Sequence, residues 1–250
     1  LRVTLDDEGN KNALSEVMIS ELIEAISEAN NSKEVKVIII ASTGNVFCSG
    51  HNLKEITAAR NNNDDGASYF KNLFELCSSL MQLIVSCPKP VIAEVGGIAT
   101  AAGCQLVASC DLAISSDTAQ FATPGVNIGL FCSTPMVALS RNVSKKEAMK
   151  MLLTGDMIDA VEAKRISLIN DYVSEDKLEE SVNSLAKKIS KKSLMTIKTG
   201  KEAFYKQYEM SLSDAYEYTS MVMAQNTLRD DAKEGISSFI EKRDPNWQDN

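Results

Sequence analysis

An α/β fold with a helical C-terminal region is predicted by three features of this 250-residue sequence. Short β-branched runs have the character of strands buried on both faces of a parallel sheet. Helical apolar stripes alternate with them through the first two thirds. The last third, from Glu175 onward, is almost entirely helical in pattern. With 44% hydrophobic and 24% charged residues, 12 Gly and 5 Pro, the composition is that of a globular chain. A chain of this length buries roughly three quarters of its unfolded surface, so its core needs no covalent staples.

The elements follow in order. Asp6–Asn12 reads as a polar turn, and Ser15 as the cap of a helix carrying Met18, Leu22, Ile26 and Ala29 at helical spacing. Val35–Ala41 (VKVIIIA) predicts the first fully buried strand, and STGNVFCSGHN a loop after it. Arg60–Gly66 is a polar, Gly-terminated surface loop. Phe70, Leu73, Cys77, Leu80 and Ile84 mark a second helix, ended by Pro88-Lys-Pro90. Val91–Val95 predicts a strand, and Ala101–Ser109, apolar on every side except at Gln105, a buried helix. Asp111–Ser115, Gln120–Thr123 and Leu168–Val173 read as further strands. Ser144-Lys-Lys-Glu147 and Asp159-Ala-Val-Glu162 have the form of capping boxes.

Charge and cysteine usage exclude several functions. Lys+Arg 26 against Asp+Glu 34 leaves a net charge of −8 with no long basic run, which argues against a nucleic-acid partner. The longest apolar run, Val37–Ala41, falls far short of the roughly 20 residues that cross a bilayer, so no membrane span is expected. Cys48, Cys77, Cys87, Cys104, Cys110 and Cys132 form no C-x-x-C pair, and the single histidine is His51. Neither a metal site nor a disulfide framework is expected, and a reducing compartment is favoured. No G-x-G-x-x-G follows a strand and no phosphate-binding G-x-x-x-x-G-K-[ST] loop occurs, which removes dinucleotide-dependent dehydrogenases and nucleotide triphosphatases.

Two segments share a form: a buried strand, small residues, then a helix start. They are Phe47-Cys-Ser-Gly-His-Asn-Leu-Lys-Glu55 and Val95-Gly-Gly-Ile-Ala-Thr-Ala-Ala-Gly-Cys-Gln-Leu106. Small side chains let a ligand approach the backbone, and a helix start offers unpaired N–H donors. Two such donors aimed at one oxygen would make an oxyanion hole. Tight packing of helix on strand explains either segment alone.

Together with FATPGVNIGL, LTGDMIDAVEAKRISLIND and KEGISSFIEKR, these segments resemble the enoyl-CoA hydratase/isomerase (crotonase) family over essentially the whole chain. GLFCSTP, AAGCQLVASCD and AFYKQ are most similar to its enoyl-CoA hydratase domain-containing subgroup. The resemblance implies a crotonase (ClpP/crotonase-like) fold of repeated ββα units. It divides the chain into a core over residues 1–192 and a C-terminal helical trimerisation region over 193–250. It also implies a homotrimer or a dimer of trimers, a mitochondrial setting, and an acyl-CoA ligand in fatty acyl-CoA metabolism with no cofactor beyond that thioester.

Carried over by residue, the backbone N–H groups of His51 and Ala102 would bind the thioester carbonyl. Ser49, Leu53 and Lys54 would line the coenzyme A path, Gly103 and Pro124 would border the ligand, and Lys242 would reach coenzyme A from the terminal helix. The same comparison marks two departures. The family hydratases carry glutamates where this chain has Gln105 and Gly125, and family isomerases a carboxylate where it has Cys132 and Ser133. Standard hydratase turnover is therefore expected to be weak or absent, since a positioned acid or base supplies about 10²–10⁴ in rate. Three functions remain open at this point: an acyl-CoA binder with the oxyanion hole retained, a hydratase, isomerase or thioester hydrolase using atypical groups such as a water held by Gln105 or Asn127, and a non-catalytic trimeric scaffold. Glu94 could point either way from its strand, and Asp111 reads as structural.

Overall fold

In the computed structural model, which describes residues 1–249, the chain opens with β1 (Arg2–Leu5) and α1 (Glu16–Asn31). The Ser15 hydroxyl caps α1 by accepting the Met18 N–H at 3.1 Å. Then come β2 (Ile38–Ser42), β3 (Val46–Cys48), α2 (Leu53–Ala59) and α3 (Ala67–Ser86). β4 (Val91–Val95), β5 (Ile98–Thr100) and α4 (Ala102–Ser109) follow. β6 (Leu112–Ser116) and β7 (Gln120–Ala122) lead through a short 3-10 turn, Pro124–Ile128, into α5 (Pro135–Asn142) and α6 (Lys145–Thr154). β8 (Ile158–Asp159), α7 (Ala160–Arg165), β9 (Asp171–Val173) and α8 (Leu178–Ser190) complete the sheets and their cover. Three helices end the chain: α9 (Leu194–Tyr208), α10 (Leu212–Thr227) and α11 (Asp230–Glu241).

The strands divide into a five-stranded parallel sheet, β1-β2-β4-β6-β9, and a four-stranded sheet, β3-β5-β7-β8, in which only β7–β8 is antiparallel. Each consecutive pair, β2–β3, β4–β5 and β6–β7, sends its first strand to the large sheet and its second to the small one. This is the expected repeated ββα plan. It explains the unbroken β-branched run of β2: Ile38 and Ile40 join the main core with α1, α3 and α4, while Val37 and Ile39 pack with Ile92, Ile114 and the α8 residues Leu178 and Val182.

Some expectations are revised. Val46–Cys48, read as loop, is β3; a three-residue strand flanked by small and polar residues carries no alternation to detect. Of Leu168–Val173 only Asp171–Val173 is strand, while Leu168 and Ile169 pack into the core. Arg60–Gly66 is a surface loop as expected, built as a run of hydrogen-bonded turns with the Asn61 N–H on the Ala58 carbonyl and the Asp65 N–H on the Asn62 carbonyl, each at 3.0 Å. Asp159 caps α7 by accepting the Glu162 N–H at 2.8 Å, whereas Ser144 makes no side-chain cap bond.

Asp111, directly after α4, fastens the C-terminal helices to the core. Its Oδ2 accepts the Val91 N–H at 2.7 Å and pairs with Lys201 Nζ of α9 at 2.6 Å, and its Oδ1 accepts the Tyr205 hydroxyl at 2.9 Å. Lys201 also donates to the Ile84 and Lys89 carbonyls at 3.0 Å. Among the described residues no helix is long and apolar enough to cross a membrane.

Candidate functional site

The two loops singled out in the sequence meet because β3 and β5 are neighbours in the small sheet. The Thr100 hydroxyl donates to the Ser49 carbonyl at 3.0 Å. Gly50 has φ +95°, and a Cβ there would lie 2.9 Å from the Ala101 Cβ and 3.3 Å from the Ala102 nitrogen. Gly103 faces the end of β3 so closely that a Cβ would fall 2.1 Å from the Cys48 carbonyl oxygen. Small residues are thus required at both points for the helix start to touch the first loop.

Ala101 turns the chain from β5 into α4 at φ 50°, ψ −117°, a region that side-chain-bearing residues rarely occupy. Its own N–H goes to the Ala122 carbonyl at 2.9 Å, which joins β7 and Thr123 to the same junction. The next N–H, that of Ala102, is the first of the helix and has no acceptor among the described residues. The His51 N–H likewise meets none; its neighbours Gly50 and Leu14 are the pair that bond, Leu14 N–H to Gly50 carbonyl at 2.8 Å. Two free backbone donors therefore lie on loops in direct contact.

The first loop is held from the N-terminal side by Asn12, the last residue of the polar turn Asp6–Asn12. Asn12 is 1% exposed with φ 50°; its Oδ1 accepts the Asp7 N–H at 2.8 Å and its Nδ2 donates to the Thr43 and Val46 carbonyls at 3.0 and 2.7 Å. The only signal was the residue type, since Asn tolerates the left-handed conformation. Ser49 is held by its N–H on the Lys11 carbonyl at 3.2 Å. Asn52 caps α2 by accepting the Lys54 N–H at 3.1 Å, leaving Leu53 and Lys54 exposed beside the loop.

Gln105 lies one turn beyond Ala102 on α4, 4% exposed, and its buried Oε1 has no partner. Thr123 Oγ1 and His51 Nε2 are the other buried side-chain polar atoms without partners on these joined segments. Gly125, in the turn begun by Pro124, is packed against the following chain: a Cβ there would lie 2.7 Å from the Leu130 carbonyl oxygen and 2.9 Å from Cys132 Sγ. Ser133 is exposed and its hydroxyl turns back to the Phe131 carbonyl at 3.3 Å, while Phe131 itself is 42% exposed and plugs no interior space. The Asn127 side chain lies over Gly155, the cap of α6, 3.0 Å from the point a Cβ there would occupy.

The carboxylates of this region are engaged elsewhere. Glu94 faces α8 from β4 and pairs through Oε1 with Arg2 at 2.5 Å, while its buried Oε2 has no partner among the described residues. Glu55 accepts from the Asn52 side chain at 3.0 Å and from the Tyr69 hydroxyl at 3.2 Å. Lys242 is the exposed left-handed cap of α11, and no hydrogen bond or ion pair joins it to either loop among the described residues. All six cysteines are free and buried, and burial pushes the Cys48, Cys77 and Cys104 thiols up to about 12, which leaves them protonated and unreactive.

A sequence profile described as enoyl-CoA hydratase/isomerase matches residues 1–250. The Xenopus laevis protein named enoyl-CoA hydratase domain-containing protein 3, mitochondrial, is 49% identical over 246 residues, which is 98% of this chain and 82% of that protein. The human protein of the same name is 46% identical over 245 residues, 98% of this chain and 79% of its own. Its crystal structure superposes with a TM-score of 0.94, covering 98% of this chain and 95% of that one. An enoyl-CoA hydratase structure from Mycobacterium smegmatis superposes with a TM-score of 0.92 at 43% identity, with the same coverage of 98% and 95%.

Proposed function

The chain belongs to the enoyl-CoA hydratase/isomerase family, and on that footing we propose that it binds an acyl-CoA thioester, with the carbonyl oxygen held by the backbone N–H groups of His51 and Ala102. The observation that carries this reading is the pair of acceptor-free amides on two touching loops, one of them at the first turn of α4. Fixed donors of this kind stabilise charge developing on a thioester oxygen, and the loss of one typically costs about 10²–10³ in rate. The amide at Ala102 also carries the positive end of the helix dipole.

In this reading the protein polarises the thioester but lacks the groups that move protons in a hydratase. Gln105 and Gly125 exchange no proton, Ser133 and Cys132 supply no carboxylate, and Glu55, Glu94 and Asp111 are each committed to other partners. The thioester is ligand or substrate rather than resident cofactor. Ser49, Leu53 and Lys54 at the loop mouth would follow the coenzyme A arm, with Gly103 and Pro124 bordering the acyl group and Lys242 meeting coenzyme A in the assembled protein.

Assembly and location belong to the same proposal. Phe204, Tyr208, Leu212, Tyr216, Phe239 and Ile240 on α9–α11 are 58%, 59%, 77%, 69%, 85% and 73% exposed, an apolar face of the sort that marks an interface. A homotrimer, single or paired, would cover it. The word mitochondrial in the relatives' names supports that compartment.

Calorimetric titration with a non-reactive acyl-CoA tests the binding. Saturation at sub-millimolar ligand, with crotonyl-CoA hydration at background, is expected; no saturable binding sinks the reading, and rapid hydration would return the chain to the hydratases.

A further inference from the structure

Within one chain, α11 buries no apolar side chain. Its two buried residues, Asp231 and Ser238, are polar, while Ile236, Phe239 and Ile240 are exposed. A helix normally takes its place in a fold from an apolar stripe packed on its neighbours, as α1 does with Ile19, Leu22, Ile26 and Ala29. Something other than hydrophobic packing keeps α11 where it is.

The segment that follows supplies it. The chain reverses at Lys242, where φ is 56°, with the Arg243 N–H on the Ser238 carbonyl at 3.0 Å, and then runs back along the helix toward its first turn. Arg243 grips Glu234, Nη1 on Oε1 at 2.6 Å and Nη2 on Oε2 at 2.9 Å, and the Asn246 N–H joins Oε1 at 2.8 Å. The Trp247 ring lies on Gly235, 3.1 Å from the point that a Cβ there would occupy. The Gln248 and Asp249 N–H groups both end on Asp231, at 2.7 Å to Oδ1 and 3.1 Å to Oδ2. Helix and returning segment thus close on each other as one unit.

That unit is fastened to the rest of the chain by polar contacts. Ser193 caps α9 by accepting the Thr196 N–H at 3.1 Å, and its hydroxyl donates to Asp231 Oδ2 at 2.5 Å; both residues are buried. Trp247 Nε1 donates to the Lys191 carbonyl at 2.8 Å, and the Leu194 N–H to Asp249 Oδ1 at 2.6 Å. Lys36, ahead of β2, pairs with Asp249 Oδ2 at 2.8 Å. On the other side, α11 is joined to α10 through Leu228 and Arg229, both exposed. Polar contacts exchange readily for contacts with water, and parts of a fold with few buried apolar contacts open before the core does.

We propose that α11 and residues 243–249 form a latch that opens and closes as one unit about Leu228 and Arg229, without disturbing the sheets, and that Asp231 is its bolt. Its carboxylate meets both the returning segment and the cap of α9, so the latch has no closed state without it. Closed, the latch holds Ile236, Phe239 and Ile240 outward in one fixed surface. Open, it frees the Ser193 hydroxyl and the Leu194 N–H.

Hydrogen exchange of the full chain, read by mass spectrometry, tests this together with the fluorescence of Trp247, the single tryptophan. In Asp231→Ala the amides of 230–241 and 243–249 are expected to exchange about tenfold or more faster, and together, while those of β2 and β4 keep the parent's rates. The Trp247 emission should move to longer wavelength in the same variant. Glu234→Gln weakens the half-buried grip on Arg243 and leaves the Asp231 carboxylate in place. It should move the same two segments in the same direction by less, and it serves as the check if Asp231→Ala folds poorly. Exchange unchanged in both variants overturns the latch. So does a response confined to either segment alone, and so does an equal acceleration in β2 and β4, which would make α11 an inseparable part of the core.

Discussion

The carbonyl oxygen of Leu130 stands 2.7 Å from the point that a Cβ on Gly125 would occupy, and Cys132 Sγ stands 2.9 Å from it. Main chain fills the space in which the first atom of a side chain would have to sit. Gly125→Glu is accordingly expected to destabilise the fold by about 1–3 kcal/mol through overpacking. Its melting temperature should fall by several degrees, and Gln105→Glu with Gly125→Glu should leave crotonyl-CoA hydration at background. A double variant that melts like the parent and hydrates crotonyl-CoA would show that the 130–132 segment yields.

Ala101 and Gly103 make an opposed pair for measurement. The positive φ of Ala101 stores backbone strain of about 1–3 kcal/mol, partly offset in a glycine variant by the entropy glycine loses on folding. Ala101→Gly should raise stability by about 1 kcal/mol, or the melting temperature by about 2–4 °C in a chain of this size. Gly103→Ala should do the reverse, because its Cβ would meet the Cys48 carbonyl at 2.1 Å. It should also abolish acyl-CoA binding by parting the two loops.

Removing Lys201 leaves Asp111, whose side chain is 15% exposed, without its cation. Urea denaturation of Lys201→Ala should show a loss of about 3–5 kcal/mol, the range for breaking a buried pair from one side. Tyr205→Phe removes one neutral donor to the same carboxylate and should cost about 1 kcal/mol. Equal losses for the two variants would contradict the arrangement.

Burial holds the pKa of His51 below its ordinary value of about 6.5. The unfolded chain therefore takes up a proton at a pH where the folded ring still resists it. The stability tied to the neutral ring is complete above about pH 6.5 and is lost as the pH falls toward the folded pKa. Urea midpoints of the parent and of His51→Gln, followed from about pH 7.5 to about pH 5, should converge or cross in the parent's disfavour as the pH drops. Parallel curves would mean that the ring titrates alike in both states.

The sequence carried the architecture unevenly. The centre of the large sheet was legible because β2 and β4 are buried on both faces, so that Val37–Ala41 reads as a continuous apolar run and Val91–Val95 as one interrupted only by Glu94, whereas the edge strand β1 was not read. Of the small sheet β7 was legible but β3 and β5 were not, because they are three residues each, set among glycines and alanines whose composition reads as loop. At the site, residue identities were visible, Gln105 and Gly125 among them. Three facts lay beyond reach: that Gly125 is hemmed in by backbone, that Asn12 pins the first loop, and that the His51 ring is held by Leu14 and Phe74. Each depends on contacts between segments far apart in the chain.

The Asp111 cluster has a mechanical consequence. α4 is eight residues long, about 12 Å from end to end. Its N-terminal end presents the Ala102 amide; its C-terminal end runs straight into the carboxylate gripped by α9. A single short strut thus joins the outer helices to the two touching loops, so that a disturbance of the α9 grip on Asp111 has one helix to travel before it reaches the Ala102 amide.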